Sequence, residues 1–227
     1  MSKQVSIIGL GRFGTSLAIA LHDAGYDVLA IDKSTELVDG IGAHVTHAVR
    51  TNSTNEAALQ KLGIGGFDVA VVSIGDVQDS VMTTILLKKM GVHYIVARAD
   101  NDLHGEILAS IGADKVIFPE RDTAIRTGPM LTMRDVSDFI PLGNGSGIVK
   151  VKAMPSIIGR TLEGVGFGTN TRGNVAVLLI QRGKECIINP NPQEVISHVD
   201  VLILAGNNID IEKLFEKIER QKAKPSD

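Results

Sequence analysis

The chain has 227 residues, a formal net charge of −3, a single cysteine and 44% apolar residues. That length suits one or two domains, and the absence of any Lys/Arg cluster excludes a nucleic-acid footprint. One cysteine excludes an internal disulfide and a cysteine metal cage, and no run approaches the ~20 apolar residues of a membrane span.

Met1-Ser2-Lys3-Gln4 leads straight into an apolar strand without a signal-peptide pattern, which points to the cytoplasm. Val5-Ser6-Ile7-Ile8 is followed at once by Gly9-Leu10-Gly11-Arg12-Phe13-Gly14 and by an amphipathic stretch with Phe13, Leu17, Leu21 and Ala24 at helical spacing. This is strand, tight glycine turn, helix. Gly9 lets the chain turn, Gly11 lets a backbone approach a pyrophosphate, and Gly14 lets helix and strand pack closely. The helix N-terminus offers unpaired N–H groups to phosphate. Asp32 ends the next strand, Asp27–Ile31, where a carboxylate accepts ribose hydroxyls and repels a 2′-phosphate. The alternative is a glycine turn that only packs a helix on a sheet, with Asp32 simply ending a strand. The spacing of the acid favours a nucleotide-binding Rossmann unit.

Strand and helix patterns alternate onward. Gly25 is placed to end the first helix, and Ser34 to Gly42 reads as a short helix. Thr46–Arg50 is a strand, and Ser53 with Glu56 forms a capping-box pattern for a helix to Leu62. Asp68–Val72 is a strand of the kind buried on both faces of a parallel sheet. Asp76 caps a helix to about Met90, Tyr94–Arg98 is a strand, and Asp100 is placed to cap a helix to about Ile111. Lys115–Phe118 is a sixth strand. Six strands joined by crossover helices predict an α/β doubly wound parallel sheet. A helix from Pro119 to about Met133 should break or kink at Gly128-Pro129. The loop-like composition of Phe139–Gly147 suggests a boundary between a nucleotide-binding domain over 1–140 and a small α+β domain over 145–221, with a disordered tail over 222–227. In that second domain Ile148–Lys152, Val175–Gln181, Glu185–Ile188 and Val199–Leu204 read as strands, Ile158–Leu162 as a turn or short helix, and Ile209–Arg220 as an amphipathic helix. Cys186 sits in an apolar strand and is expected to be buried. His44, His47, His93 and His104 lack ligand spacing and read as surface or packing residues.

The order of Gly9–Gly14, Asp32, Thr51-Asn52-Ser53-Thr54, Ile111-Gly112-Ala113-Asp114 and Phe118-Pro119-Glu120 resembles RCK proteins, the cytosolic regulators of bacterial Ktr/Trk-type potassium uptake. The likeness covers nearly the whole chain. It implies no catalytic chemistry, and a homodimer that assembles into an octameric ring beneath a membrane potassium-translocating subunit, holding the protein at the inner face of the membrane. It implies gating by ATP against ADP, with NAD(H) possible in the same cleft. Gly9, Gly11, Phe13 and Gly14 would then form the phosphate loop, Asp32 would hold the ribose, and Lys33 would sit at the base edge. Asn52, Ser53, Ile74 and Gly75 would frame the adenine. Arg12 and Arg98 would reach the γ-phosphate, since a guanidinium offers a fork of donors. Glu120 would bind Mg²⁺ or another cation at the dimer interface. Asn174, Val175 and Pro190 match positions of a cyclic di-AMP pocket in the second domain, although relatives often carry an arginine where this chain has Thr169. Against these stands a second class of function: an NAD(H) redox sensor or an NAD-dependent dehydrogenase, which the fold alone permits.

Overall fold

The structure is a computed structural model that describes residues 3–133, 135–167 and 175–222. Chain contacts divide it into two compact units, Met1–Glu120 and Arg121–Asp227.

The first unit is a six-stranded parallel sheet. Its strands are β1 (Gln4–Ile8), β2 (Asp27–Asp32), β3 (His47–Arg50), β4 (Val69–Val72), β5 (Tyr94–Arg98) and β6 (Lys115–Ile117). They lie in the order β3-β2-β1-β4-β5-β6, each neighbour parallel. The connecting helices are α1 (Arg12–Asp23), α2 (Thr35–Ile41), α3 (Glu56–Lys61), α4 (Val77–Lys89) and α5 (Asp102–Ser110). The chain therefore leaves β1 in one direction toward β3, then returns to build outward from β4. Between β1 and β4 the connections diverge, and a crevice opens at the strands' carboxyl ends. Two apolar clusters cover the sheet, one including Ile31, Leu59, Leu87 and Ile95, the other including Ile7, Leu10, Ala18 and Ile41. Burial on both faces accounts for the unbroken apolar runs of β2 and β4, and in β1 it encloses Ser6 as well.

Two helix starts differ from expectation. Ser53 is buried and shares a 2.9 Å hydrogen bond with Thr83, so Asn55 caps α3 instead, accepting from the Ala58 N–H at 3.1 Å. The Asp100 carboxylate is taken up by Arg98, and Asn101 caps α5 by accepting from the His104 N–H at 2.9 Å. His104 is a buried packing residue. Ser34 and Asp76 cap α2 and α4 as expected.

The helix α6 (Pro119–Thr132) runs through Gly128-Pro129, so of the expected break or kink the break does not occur. Pro129 stands in its last turn, where it removes a single ladder bond, and its carbonyl still accepts the Met133 N–H at 2.9 Å.

The second unit is an antiparallel sheet of β7 (Val136–Gly143), β8 (Ser146–Lys152), β9 (Val175–Arg182), β10 (Glu185–Ile188) and β11 (Asp200–Asn207), in the order β10-β9-β11-β8-β7. The short helix α7 (Leu162–Val165) and the closing helix α8 (Asn208–Lys222) complete it. Its core gathers Phe139, Val149, Val151, Ile157, Leu162, Ile180, Leu202, Leu204 and Ile211. The loop-like stretch Phe139–Gly147 is a hairpin rather than a linker. Asn144 and Gly145 both take positive φ, 50° and 69°, the backbone of a tight primed turn. Cys186 is exposed, not buried. It lies on the edge strand β10, whose alternation turns the neighbouring Ile187 inward.

Candidate functional site

The crevice at the carboxyl ends of the parallel strands is a cavity of about 280 Å³. Ile8, Gly9 and Gly11 form one wall, and Ile31, Asp32 and Lys33 a second. Thr51, Asn52 and Ser53 close one side; Ser73, Ile74, Gly75, Asp76 and Asp79 close the other, with Arg98 beyond them. Nine expected positions thus come together: Gly9, Gly11, Asp32, Lys33, Asn52, Ser53, Ile74, Gly75 and Arg98. Arg12, Phe13 and Gly14, the first residues of α1, do not line it.

The three glycines separate by what surrounds them. Gly9 has φ +96°, and a Cβ there would fall 2.7 Å from the Ser73 carbonyl group. A Cβ on Gly14 would fall 1.9 Å from the Gly9 oxygen, so this glycine seats α1 on the loop. Gly11 meets nothing within 4 Å, the open side being the cavity. Opposite outcomes are expected for one methyl group. Gly14→Ala should lower stability by about 1–3 kcal/mol through overpacking, read as a lower thermal midpoint. Gly11→Ala should leave the midpoint nearly unchanged while weakening phosphate-bearing ligands. A large stability loss in Gly11→Ala would remove it from the site.

Helix α1 begins without a side-chain cap and without an acid in its first turn. By contrast α2, α3, α4, α5 and α7 each carry a side-chain cap. Its Gly11 N-cap borders the cavity, so unpaired N–H groups and the positive end of the helix dipole stand beside it, as a phosphate requires. Asp32 braces this loop. Its Oδ2 accepts from the Leu10 N–H at 2.7 Å and its Oδ1 from the Ser34 N–H at 2.8 Å. A carboxylate has about four acceptor sites, so two lone pairs are left for ribose hydroxyls.

On the base side, the Asn52 Oδ1 accepts from both the Thr54 N–H and hydroxyl, leaving its amide as a donor. Lys33 reaches across to Asp79 at 3.0 Å, and that bond raises the lysine's pKa above its ordinary value. Sequence spacing did not single out Asp79 or Ser73; a second acid three residues past the Asp76 cap is the available signal.

At the far end, the Arg98 Nη2 pairs with Asp100 at 2.8 Å and with Glu120 at 2.9 Å. Its Nε is buried without a partner. A bond from its own backbone N–H, then the Arg98 guanidinium and the Arg12 charge, hold the Glu120 carboxyl below the usual carboxylate range. The structure therefore brings Arg98 and Glu120 together, whereas among the described residues no bond or ion pair joins Arg12 to either. Among the described residues no three His, Cys, Asp or Glu side chains group as a metal site. In the second unit Val175 is part of the core and Pro190 is buried, while Asn174 and Thr169 lie outside the described residues. Among those residues, no helix is long and apolar enough to cross a membrane.

Comparison with known proteins matches residues 5–119 to the TrkA-N domain and residues 147–219 to the TrkA-C domain. Ktr system potassium uptake protein C of Bacillus subtilis (strain 168) is 38% identical over 218 residues, 96% of this chain and 97% of that one. Ktr system potassium uptake protein A of Vibrio alginolyticus is 32% identical over 96% of this chain and 97% of its own. Among solved structures, the GsuK channel superposes with a TM-score of 0.63 at 17% identity, over 94% of this chain and 39% of that one, a likeness of fold. GsuK bound to ADP superposes with a TM-score of 0.51 at 27% identity, over 57% of this chain and 34% of that one. The chain spans well under half the length of these two solved chains.

Proposed function

Since this chain belongs to the TrkA-N/TrkA-C family of Ktr and Trk potassium uptake proteins, we propose that it is the nucleotide-sensing regulatory subunit of a potassium uptake system, and not an enzyme. Its ligand is an adenine nucleotide in the cavity between β1 and β4. The observation that carries this reading is the uncapped start of α1 beside a carboxylate, Asp32, that still has acceptor sites for a ribose. The ADP-bound relative of similar fold supports the same ligand class.

ATP and ADP would differ at the Arg12, Arg98 and Glu120 end. A triphosphate there meets guanidinium donors that a diphosphate falls short of. Glu120 would contribute one oxygen to a cation, with phosphate oxygens and a second chain supplying the rest. Two chains bridged this way prefer one arrangement with ATP and another with ADP, and only that differential affinity can shift the population. An octameric ring of such dimers would pass the change to the membrane subunit, keeping the protein cytoplasmic and peripheral. Cyclic di-AMP in the second unit, near Val175 and Pro190, belongs to the same proposal. The redox-sensor reading differs only in ligand: Asp32 accepts the ribose of NAD(H) equally well, whereas the two arginines favour a triphosphate.

The test is calorimetric titration of ATP, ADP, NAD⁺ and NADH with and without Mg²⁺, with molecular mass measured on each mixture. ATP and ADP are expected to bind, Mg²⁺ to strengthen ATP alone, and ATP to change the assembly. Arg12→Ala should blunt the ATP-dependent assembly more than ADP binding, and Glu120→Gln should remove the Mg²⁺ enhancement. Binding of NADH alone, to an assembly that ATP leaves unchanged, would transfer the assignment to a redox sensor.

A further inference from the structure

The ribose edge of the cavity carries opposed signals. Asp32 repels a 2′-phosphate, yet two cations stand beside it. Lys33 follows it in sequence, and Arg50 is its partner in the β2–β3 ladder. The Arg50 Nε donates to the Lys33 carbonyl at 3.3 Å, which draws its guanidinium against the same turn. In dinucleotide-binding sheets a basic side chain near this acid is what accommodates a 2′-phosphate. Among the described residues Arg50 is held by one backbone carbonyl and no carboxylate, so its charge is present whatever the ligand; what Lys33 adds depends on whether its ammonium is available.

Lys33 is occupied. Its Nζ donates to the Asp79 Oδ2 at 3.0 Å, although the lysine side chain is 70% exposed. Asp79 stands in the first turn of α4, on the other strand group lining the cavity. It is not the cap of α4: Asp76 is, and the Asp79 backbone N–H donates to Asp76 at 2.8 Å. Asp79 thus has no capping task to explain its carboxylate. An acid in a first turn does favour the helix dipole, but that accounts for the charge and not for its bond to Lys33. An ammonium on a four-carbon stem swings readily to another anion once its partner is gone.

We propose that Asp79 is a specificity-determining residue, which by holding Lys33 keeps that ammonium from a 2′-phosphate and so disfavours adenosine ligands that carry one. This rests on the adenine-nucleotide reading of the same cavity. The ligand class favoured is adenosine with free ribose hydroxyls; the class disfavoured is its 2′-phosphorylated form.

AMP and adenosine 2′,5′-bisphosphate differ only by the phosphate in question. Their dissociation constants are to be measured by calorimetry at low ionic strength on the full chain, on Asp79→Asn and on the double variant Asp79→Asn/Lys33→Gln. In Asp79→Asn the ratio of the two constants should move about fivefold toward the bisphosphate, the scale of an exposed charge pair. It should return to the original ratio in the double variant. Asp79→Ser repeats the measurement with another side chain at the same helix position, should the asparagine variant fold poorly. An unmoved ratio in these variants overturns the proposal. A gain that survives the loss of Lys33 also overturns it, because Asp79 would then act by repulsion alone. Should AMP bind the unaltered chain while the ratio stays fixed, only this inference falls. Failure of every chain to bind AMP or the bisphosphate removes the adenine-nucleotide reading as well.

Discussion

Asp32→Ala is expected to weaken ATP, ADP and NAD⁺ alike, by roughly tenfold to a hundredfold, and to destabilise the first unit by about 2 kcal/mol. Both effects come from one carboxylate. Its Oδ2 bond to Leu10 holds the glycine loop, and its Oδ1 bond to Ser34 holds the start of α2. Leu10 is buried, so its N–H would lose its partner where water does not easily replace it. The ribose bonds lost are charge-assisted, about 1.5–3 kcal/mol in total, and common to all adenosine ligands. Calorimetry should show parallel losses for the three ligands, and a thermal melt should show the loss of stability. Asp32→Asn keeps one acceptor oxygen and should fall between. If the midpoint drops while affinities hold, Asp32 is a loop brace that ends a strand, and the ribose role is lost.

Asp200→Ala should destabilise the second unit by about 3 kcal/mol and remove much of its sensitivity to acid. The Asp200 side chain has no solvent exposure, and Arg182 grips it with two bonds of 2.8 Å, from Nε to Oδ1 and from Nη2 to Oδ2. The two residues face each other across the β9–β11 ladder. Arg182 also reaches Glu194 at 2.9 Å and the Val195 carbonyl at 2.9 Å, so it ties the segment before β11 to the sheet. Truncating Asp200 leaves a partly buried guanidinium with only part of its partners. Burial opposes the charge on Asp200, but the Arg182 fork and the Ser197 N–H outweigh it and hold the carboxyl below its usual range. A carboxyl depressed in the folded state contributes stability that is complete above its unfolded value of about 4 and is lost as pH falls through the folded value. Denaturant unfolding of the full chain below and above pH 4 should therefore give a steeper acid loss for the unaltered protein than for Asp200→Ala. Equal acid loss in both would assign the sensitivity to other carboxylates.

Much of the first unit was legible because local chemistry repeats there. Each strand is an apolar run bounded by a turn, and Ser34 and Asp76 cap their helices as their positions suggest. The misplaced caps share one cause. Ser53 and Asp100 are good capping residues locally, but another partner, the remote Thr83 or the neighbouring strand residue Arg98, had already taken the side chain. Thr83 lies 30 residues from Ser53, so nothing near Ser53 reveals that competition; Arg98 is only two residues before Asp100, and its pull on that carboxylate was open to a local reading. The hairpin at Asn144-Gly145 was legible and misassigned: Asn-Gly between strand-forming runs is a turn signal, yet so many glycines also resemble a linker. Cys186 misled because an apolar strand read alone carries no sign of which face its sheet covers.

The order strand, Gly-x-Gly-x-x-Gly, helix, strand, Asp was determined by sequence alone, since each residue there acts through its own backbone freedom or charge at short range. Which of those groups face one cavity was decided only by tertiary structure. The parallel sheet carries Asp32, Asn52, Ile74 and Arg98 from four strands to one edge, and leaves Arg12, Phe13 and Gly14 at the start of α1, outside the cavity's lining. The sheet also sets Asp79 against Lys33, 46 residues apart in the chain. Such pairings depend on strand order and register, which arise from burying two apolar faces at once and have no signature in any short stretch of chain.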